Sequence, residues 1–105
     1  MTSTIQSEIQ KVVDKIVQEF HPEKVILFGS YANGTPHLDS DVDLFVVKDT
    51  KNTRKTAQEI DGLIFPRPFP VDLIVYTPAQ LEKRKKMNDF FIKDIITKGR
   101  VLYAK

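Results

Sequence analysis

The chain has no cysteine, which excludes disulfides, thiolate metal sites and a cysteine nucleophile. It has two histidines, His21 and His37, too few and too far apart for a zinc site, and both read as loop residues. No apolar run reaches the length of a membrane span. The N-terminal stretch is polar and of mixed charge, without the apolar core of a signal peptide. A cytoplasmic location is therefore expected, with no membrane partner. The Gly-x-x-x-x-Gly-Lys-Ser/Thr loop of P-loop NTPases is absent as well. A formal net charge of only +2 argues against a dedicated binder of nucleic acid.

What is there fits one soluble domain over residues 1–105. The composition is 41% hydrophobic and 29% charged, and the length allows a single real core but not two. Charge is unevenly spread: residues 81–105 carry eight Lys/Arg against three Asp/Glu, while residues 1–80 carry eight against eleven. A basic C-terminal quarter suits a polyanion or an acidic partner. The Lys83-Arg84-Lys85-Lys86 run within it reads first as a solvated helix face.

Along the chain, Ser3 and Gln6 have the spacing of a capping box. Ile5, Ile9, Val12, Val13, Ile16, Val17 and Phe20 follow at helical spacing, and His21-Pro22 should end that helix. Lys24–Phe28 predicts a first strand, Tyr31–Gly34 one helical turn closed by the glycine, and 35–40 a polar loop. Val42–Val47 predicts a second strand, apolar on both faces beyond Asp43. A helix over Asn52–Ile64 follows, then an irregular stretch over Phe65–Pro70 interrupted by three prolines. Val71–Tyr76 predicts a third strand. Thr77-Pro78-Ala79-Gln80 opens a helix running to about Lys86. Asn88 is expected to cap a last helix with Phe91, Ile92, Ile95 and Ile96 facing inward, ended by Lys98 and a left-handed Gly99. Arg100–Tyr103 completes the set as a short strand. The fold class is α/β (α+β), a small mixed sheet covered by helices.

The chemistry concentrates where strands begin and end. Gly29-Ser30 closes the first predicted strand, and after ten residues Asp41-Val42-Asp43 opens the second. Asp72 stands at the start of the third. Residues two apart in a strand share a face, so Asp41 and Asp43 should be neighbours, roughly 6.5–7 Å apart along it. Antiparallel pairing of the first two strands would bring Gly29-Ser30 beside them, and a parallel third strand would add Asp72. Like charges ~4 Å apart repel by about 4 kcal/mol at an effective dielectric near 20. A raised pKa or a bound cation relieves that. Hard oxygen donors favour Mg²⁺ or Mn²⁺, and two such ions about 3.5–4 Å apart serve in-line phosphoryl or nucleotidyl transfer. Singly, each aspartate fits an ordinary turn and Gly-Ser any tight bend; together at three strand mouths they point to a site. Arg67, between two prolines, either reaches a phosphate or belongs to a rigid surface loop.

Gly29, Ser30, Ala32, Gly34, Ser40, Asp41, Asp43 and Leu44 match the pattern Gly-Ser-x-Ala-x-Gly with Ser-Asp-x-Asp-Leu. That pattern resembles the signature of the nucleotidyltransferase superfamily that includes DNA polymerase β, and most of all its minimal nucleotidyltransferases. The resemblance spans nearly the whole chain and implies the polymerase β palm-like nucleotidyltransferase fold. One position departs: many members have Arg where this chain has Asn33. The resemblance implies that Gly29 and Ser30 hold a nucleoside triphosphate, with ATP as substrate. It implies that Asp41, Asp43 and Asp72 are catalytic and bind two Mg²⁺ ions. It further implies AMP transfer to a tyrosine of a HEPN-family toxin, with this chain as antitoxin. A non-catalytic antitoxin acting by contact, and transfer to a small molecule, are the alternatives. A homodimer is compatible with the sequence, which has no feature demanding one.

Overall fold

The computed structural model describes residues 5–34, 36 and 40–105; the expected capping residue Ser3 and the loop residue His37 lie outside these. Helix α1 (Ile5–Phe20) buries Ile9, Val12, Val13 and Ile16. Val17 and Phe20 pack partly against the same core. Ile5 does not join the stripe, being 37% exposed, so the apolar face begins one turn later than its periodicity suggests. The helix ends at His21-Pro22 as expected. His21 leaves the α region for a positive φ of 51°, while its N–H still donates to the Val17 carbonyl at 3.0 Å.

Strand β1 (Lys24–Phe28), the short helix α2 (Ser30–Asn33) and strand β2 (Val42–Val47) follow. Helix α3 (Thr53–Leu63), strand β3 (Val71–Tyr76) and helix α4 (Pro78–Lys86) come next. Helix α5 (Phe90–Lys98) and strand β4 (Arg100–Ala104) end the chain. The four strands form one sheet in the order β3-β2-β1-β4. β1 runs antiparallel to β2 and β4, and β2 parallel to β3. β2 is therefore internal. Every residue from Leu44 to Val47 is buried, which is why its sequence is a continuous apolar run rather than an alternation.

Each face of the sheet has its own core. Leu27, Val42, Leu44 and Val46 pack with α1 and with Ile60 of α3 on one face. On the other, Ile26, Phe45 and Val47 lie beneath Ile92 and Ile95 of α5. The helix starts obey local chemistry. Asn52 caps α3 by accepting from Lys55 N–H at 3.0 Å. Thr77 and Gln80 form a reciprocal capping box on α4 (3.0 and 2.9 Å), as the sequence indicates. The Lys83–Lys86 run is exposed, a solvated face.

Helix α5 departs from expectation in three ways. Asp89, not Asn88, is its cap and accepts from Phe91 and Ile92 N–H at 2.9 and 3.2 Å. Asn88 instead turns the chain with φ 55°, since two helices joined this closely need one left-handed residue between them. Phe91 and Ile96 are 45% and 43% exposed, because one helix on a four-stranded sheet buries a narrow stripe, here Ile92 and Ile95. Gly99 is extended rather than left-handed (φ −72°, ψ 163°). It is glycine because a Cβ there would strike the Ile95 carbonyl and sit 2.6 Å from Ile26 Cγ2.

Candidate active site

The sheet register gathers what the sequence keeps apart. Phe28, the last residue of β1, is paired with Asp43 on β2, and Asp43 is paired with Asp72 on β3. Residues paired across a sheet share a face. Phe28, Asp43 and Asp72 thus form one row across three strands, on the face that α5 covers only in part. In-register strands lie about 4.8 Å apart, so the two carboxylates are near neighbours. Asp41 precedes β2 and is exposed, a residue before the strand rather than within it. Its charge still reaches Asp43.

Asp43 registers this crowding. Its carboxyl is pushed above its ordinary range by partial burial first, then by the negative charge of Asp72, then by that of Asp41. The conditional pairing argued from the sequence, antiparallel for β1–β2 and parallel for β2–β3, is the one observed. Among the described residues, no three His, Cys, Asp or Glu groups are gathered tightly enough to hold a metal ion by themselves. The donor set nonetheless suits a hard cation, whose charge would relieve the repulsion on Asp43 and which would draw further oxygen ligands from outside the protein.

Gly29 stands at the turn out of β1 with φ 77° and ψ −156°, a conformation open essentially to glycine alone. A Cβ at this position would collide with Asp43 Oδ2 and stand 3.2 Å from its Cγ. The Asp43 carboxylate thus leans directly over the Gly29 backbone. The Gly29 carbonyl accepts from Ala32 and Asn33 N–H at 3.1 and 3.0 Å, which folds Ser30–Asn33 into one turn. Gly34 closes that turn in the left-handed region, as its place in the sequence suggests. Ser30 and Tyr31 open the helix, where no intrahelical carbonyl serves the backbone N–H groups. Tyr31 packs partly against the larger core, so it is a wall rather than a free ring, and Asn33 is exposed.

Two further residues find their places. Arg67 donates to Asp61 Oδ1 of α3 at 2.9 Å, which fits the surface-loop reading. Phe28 carries no polar signal in the sequence, yet it flanks Asp43 in the row and packs edge-on against Phe91 at 5.8 Å. Only the register reveals it.

Comparison with known proteins agrees with this geometry. Residues 9–103 match the family model described as the nucleotidyltransferase domain. A Methanocaldococcus jannaschii protein, named by inference as a protein adenylyltransferase, is 32% identical over 81 residues, covering 77% of this chain and 78% of that one. A toxin–antitoxin crystal structure with AMP-PNP superposes with a TM-score of 0.66 at 23% identity, covering 91% of this chain and 73% of its counterpart. A complex of a tri-AMPylated Shewanella oneidensis HEPN toxin with its MNT antitoxin gives 0.60 at 19% identity, covering 96% and 74%. The sheet and its helices have the fold of these nucleotidyltransferase structures, and the chain belongs to the nucleotidyltransferase domain family.

Proposed function

We propose that this nucleotidyltransferase moves AMP from ATP to a hydroxyl of a partner protein, a tyrosine of a HEPN-family toxin, and so acts as an antitoxin. The observation that carries the reading is the Asp43–Asp72 pairing beside Gly29. Two acidic side chains and a side-chain-free backbone turn stand together there, a set that supports binding of a phosphate group with its cation. The inferred protein adenylyltransferase relative supports AMP as the group moved. The HEPN complexes among similar folds support the partner.

In this reading Gly29 and Ser30 receive the triphosphate, through the opening N–H groups of α2 and the Ser30 hydroxyl. Asp41, Asp43 and Asp72, together with phosphate oxygens and water, would hold Mg²⁺, which would supply positive charge against the phosphates and acidify the acceptor hydroxyl. Asp72, on the outermost strand of the row, orients that hydroxyl and draws off its proton. The acceptor oxygen then bonds to the α-phosphorus. The bond from that phosphorus to the bridging oxygen breaks, and pyrophosphate leaves with the electron pair. Charge repulsion among the carboxylates without a cation makes the site depend on the divalent ion.

The test is incubation with Mg-ATP and a HEPN-family protein encoded beside this chain. The expected result is addition of one or more AMP masses to a tyrosine of that protein, lost in Asp41→Asn/Asp43→Asn. Protection of cells from the toxin by that double variant, at wild-type level, would instead favour neutralisation by contact alone.

A further inference from the structure

β3 is an edge strand. Among the described residues its one partner in the sheet is β2. The Pro70 and Tyr76 carbonyls accept from Val42 and Lys48 N–H, each at 2.9 Å. Backbone polar groups alternate sides along a strand, so Asp72 and Ile74 also face β2. Val71, Leu73 and Val75 therefore turn their N–H and C=O groups outward. Among the described residues none bonds to those groups. Within Val71–Tyr76 the edge has neither a proline nor a bulge, and Asp72 is its one charge.

That open edge lies between two grooves. One, of about 310 Å³, runs beside Val71, Asp72 and Leu73, with Arg54, Gln58 and Asp61 of α3 on its wall. The other, of about 300 Å³, runs beside Val75 and Tyr76, with Lys83 and Arg84 of α4 on its wall. Together they flank the strand from its aspartate end to its far end.

We propose that the β3 edge receives an extended segment of the acceptor protein as a fifth strand. The inference rests on the transfer reading above, and it names the face from which the acceptor enters. A residue of the added strand paired with Asp72 projects on the same face as Asp72 and Asp43. The Phe28–Asp43–Asp72 row then continues directly into the acceptor. A hydroxyl side chain at that position is delivered to Asp72 by backbone hydrogen bonds, with no dedicated pocket in this small domain. Main-chain bonding of this kind accepts varied sequences. Lys83 and Arg84 on the groove beside Val75 and Tyr76 favour acidic residues in the part of the segment that lies there, so the occupant is an extended stretch of protein with a hydroxyl opposite Asp72 and acidic residues toward the α4 end.

The experiment follows backbone amide exchange by NMR in the full chain, with a pool of heptapeptides carrying a central Tyr, Ser or Thr between Asp or Glu residues. AMP incorporation from labelled ATP and Mg²⁺ is read in parallel. The expected result is at least tenfold slower exchange at Val71, Leu73 and Val75, with Asp72 and Ile74 unchanged because β2 already holds them. Val71→Pro removes one outward N–H at the first strand position, where proline is tolerated, and should weaken peptide binding at least tenfold. Lys83→Glu, on the exposed α4 wall, should weaken it without touching the strand. Edge protection without AMP incorporation leaves the docking intact and sinks the transfer reading. AMP incorporation with no change at the three amides overturns the docking alone. Two outcomes also overturn it: peptides that protect neither edge nor any other amide, and concentration-dependent protection of the same amides without peptide, which marks pairing of two copies.

Discussion

The carboxylate of Asp43 fills the space in which a side chain on Gly29 would stand. One residue's missing Cβ is thus the other's position, although thirteen residues of sequence separate them. Gly29→Ala forces either the carboxylate away or the turn open, and it adds an unfavourable positive φ. The turn alone should cost about 1–3 kcal/mol of stability. AMP transfer should fall at least a hundredfold, since the displaced group is the central carboxylate of the row. Denaturant melts and single-turnover labelling together check this; a fully active, stable variant would show that the close approach has no catalytic use.

Asp43 makes stability depend on pH in a defined direction. A carboxyl whose folded pKa is raised binds its proton more tightly folded than unfolded. It therefore favours the fold below its ordinary value of 3.8 and loses that contribution as pH rises through the raised value. At neutral pH the charge is a liability. Asp43→Asn should raise Tm by a few degrees at pH 7, and the gain should shrink as pH falls toward 3.8. Mg²⁺ should narrow the neutral-pH gap by stabilising the native chain and not the variant. Thermal melts at several pH values, with and without Mg²⁺, read both effects.

Much of this was legible in the sequence, and the gaps have physical causes. The strands and the α4 capping box are local signals. They depend on a few adjacent residues and appear as read. Helix α5 does not, because its exposed and buried sides are set by how much sheet lies beneath it. Phe91 and Ile96 have the right spacing for a core, but the sheet there is too narrow to cover them. Phe28 was invisible for a similar reason: its place beside Asp43 is a matter of strand register, which no single strand states. The alignment of Asp43 with Asp72 was available only as a condition on strand direction.

The turn between α4 and α5 offers a direct comparison of two neighbouring residues. Asp89 accepts two backbone N–H bonds at the start of α5 and also takes an Arg84 hydrogen bond at 3.3 Å. Asp89→Ala should cost ~1 kcal/mol, in the range of a lost N-cap. Asn88 sits at positive φ, so Asn88→Gly should leave stability unchanged or raise it slightly. If Asn88 were the working cap, the two effects would be exchanged. Urea denaturation of the pair decides the matter.

The buried face of β2 predicts the largest loss of stability. Phe45 is fully buried beneath α5 and stacks obliquely on Tyr76 at 5.1 Å. Phe45→Ala should cost about 3–5 kcal/mol through the lost burial and the cavity left behind. In a domain of this size that is a large share of total stability. The same cavity lies two residues along β2 from Asp43 and on the same face, so residual folded protein should also transfer AMP more slowly. Calorimetry alongside labelling separates the two losses.

Asp72 differs from Asp43 in its setting, and the difference should appear in kinetics. It is exposed on the edge strand, away from the Gly29 turn, so it can lie beside the acceptor while contributing little to holding the nucleotide. Asp72→Asn should lower the rate of AMP transfer by ~10²–10⁴-fold, the scale of a lost acid–base group. Its affinity for ATP in Mg²⁺ should stay within a few-fold of the native chain. Its melting temperature should rise slightly at neutral pH, because one of the charges opposing Asp43 is gone. Asp43→Asn should damage rate and nucleotide affinity together. Equal loss of nucleotide affinity in both variants would place Asp72 on the triphosphate and remove it from the acceptor side of the row.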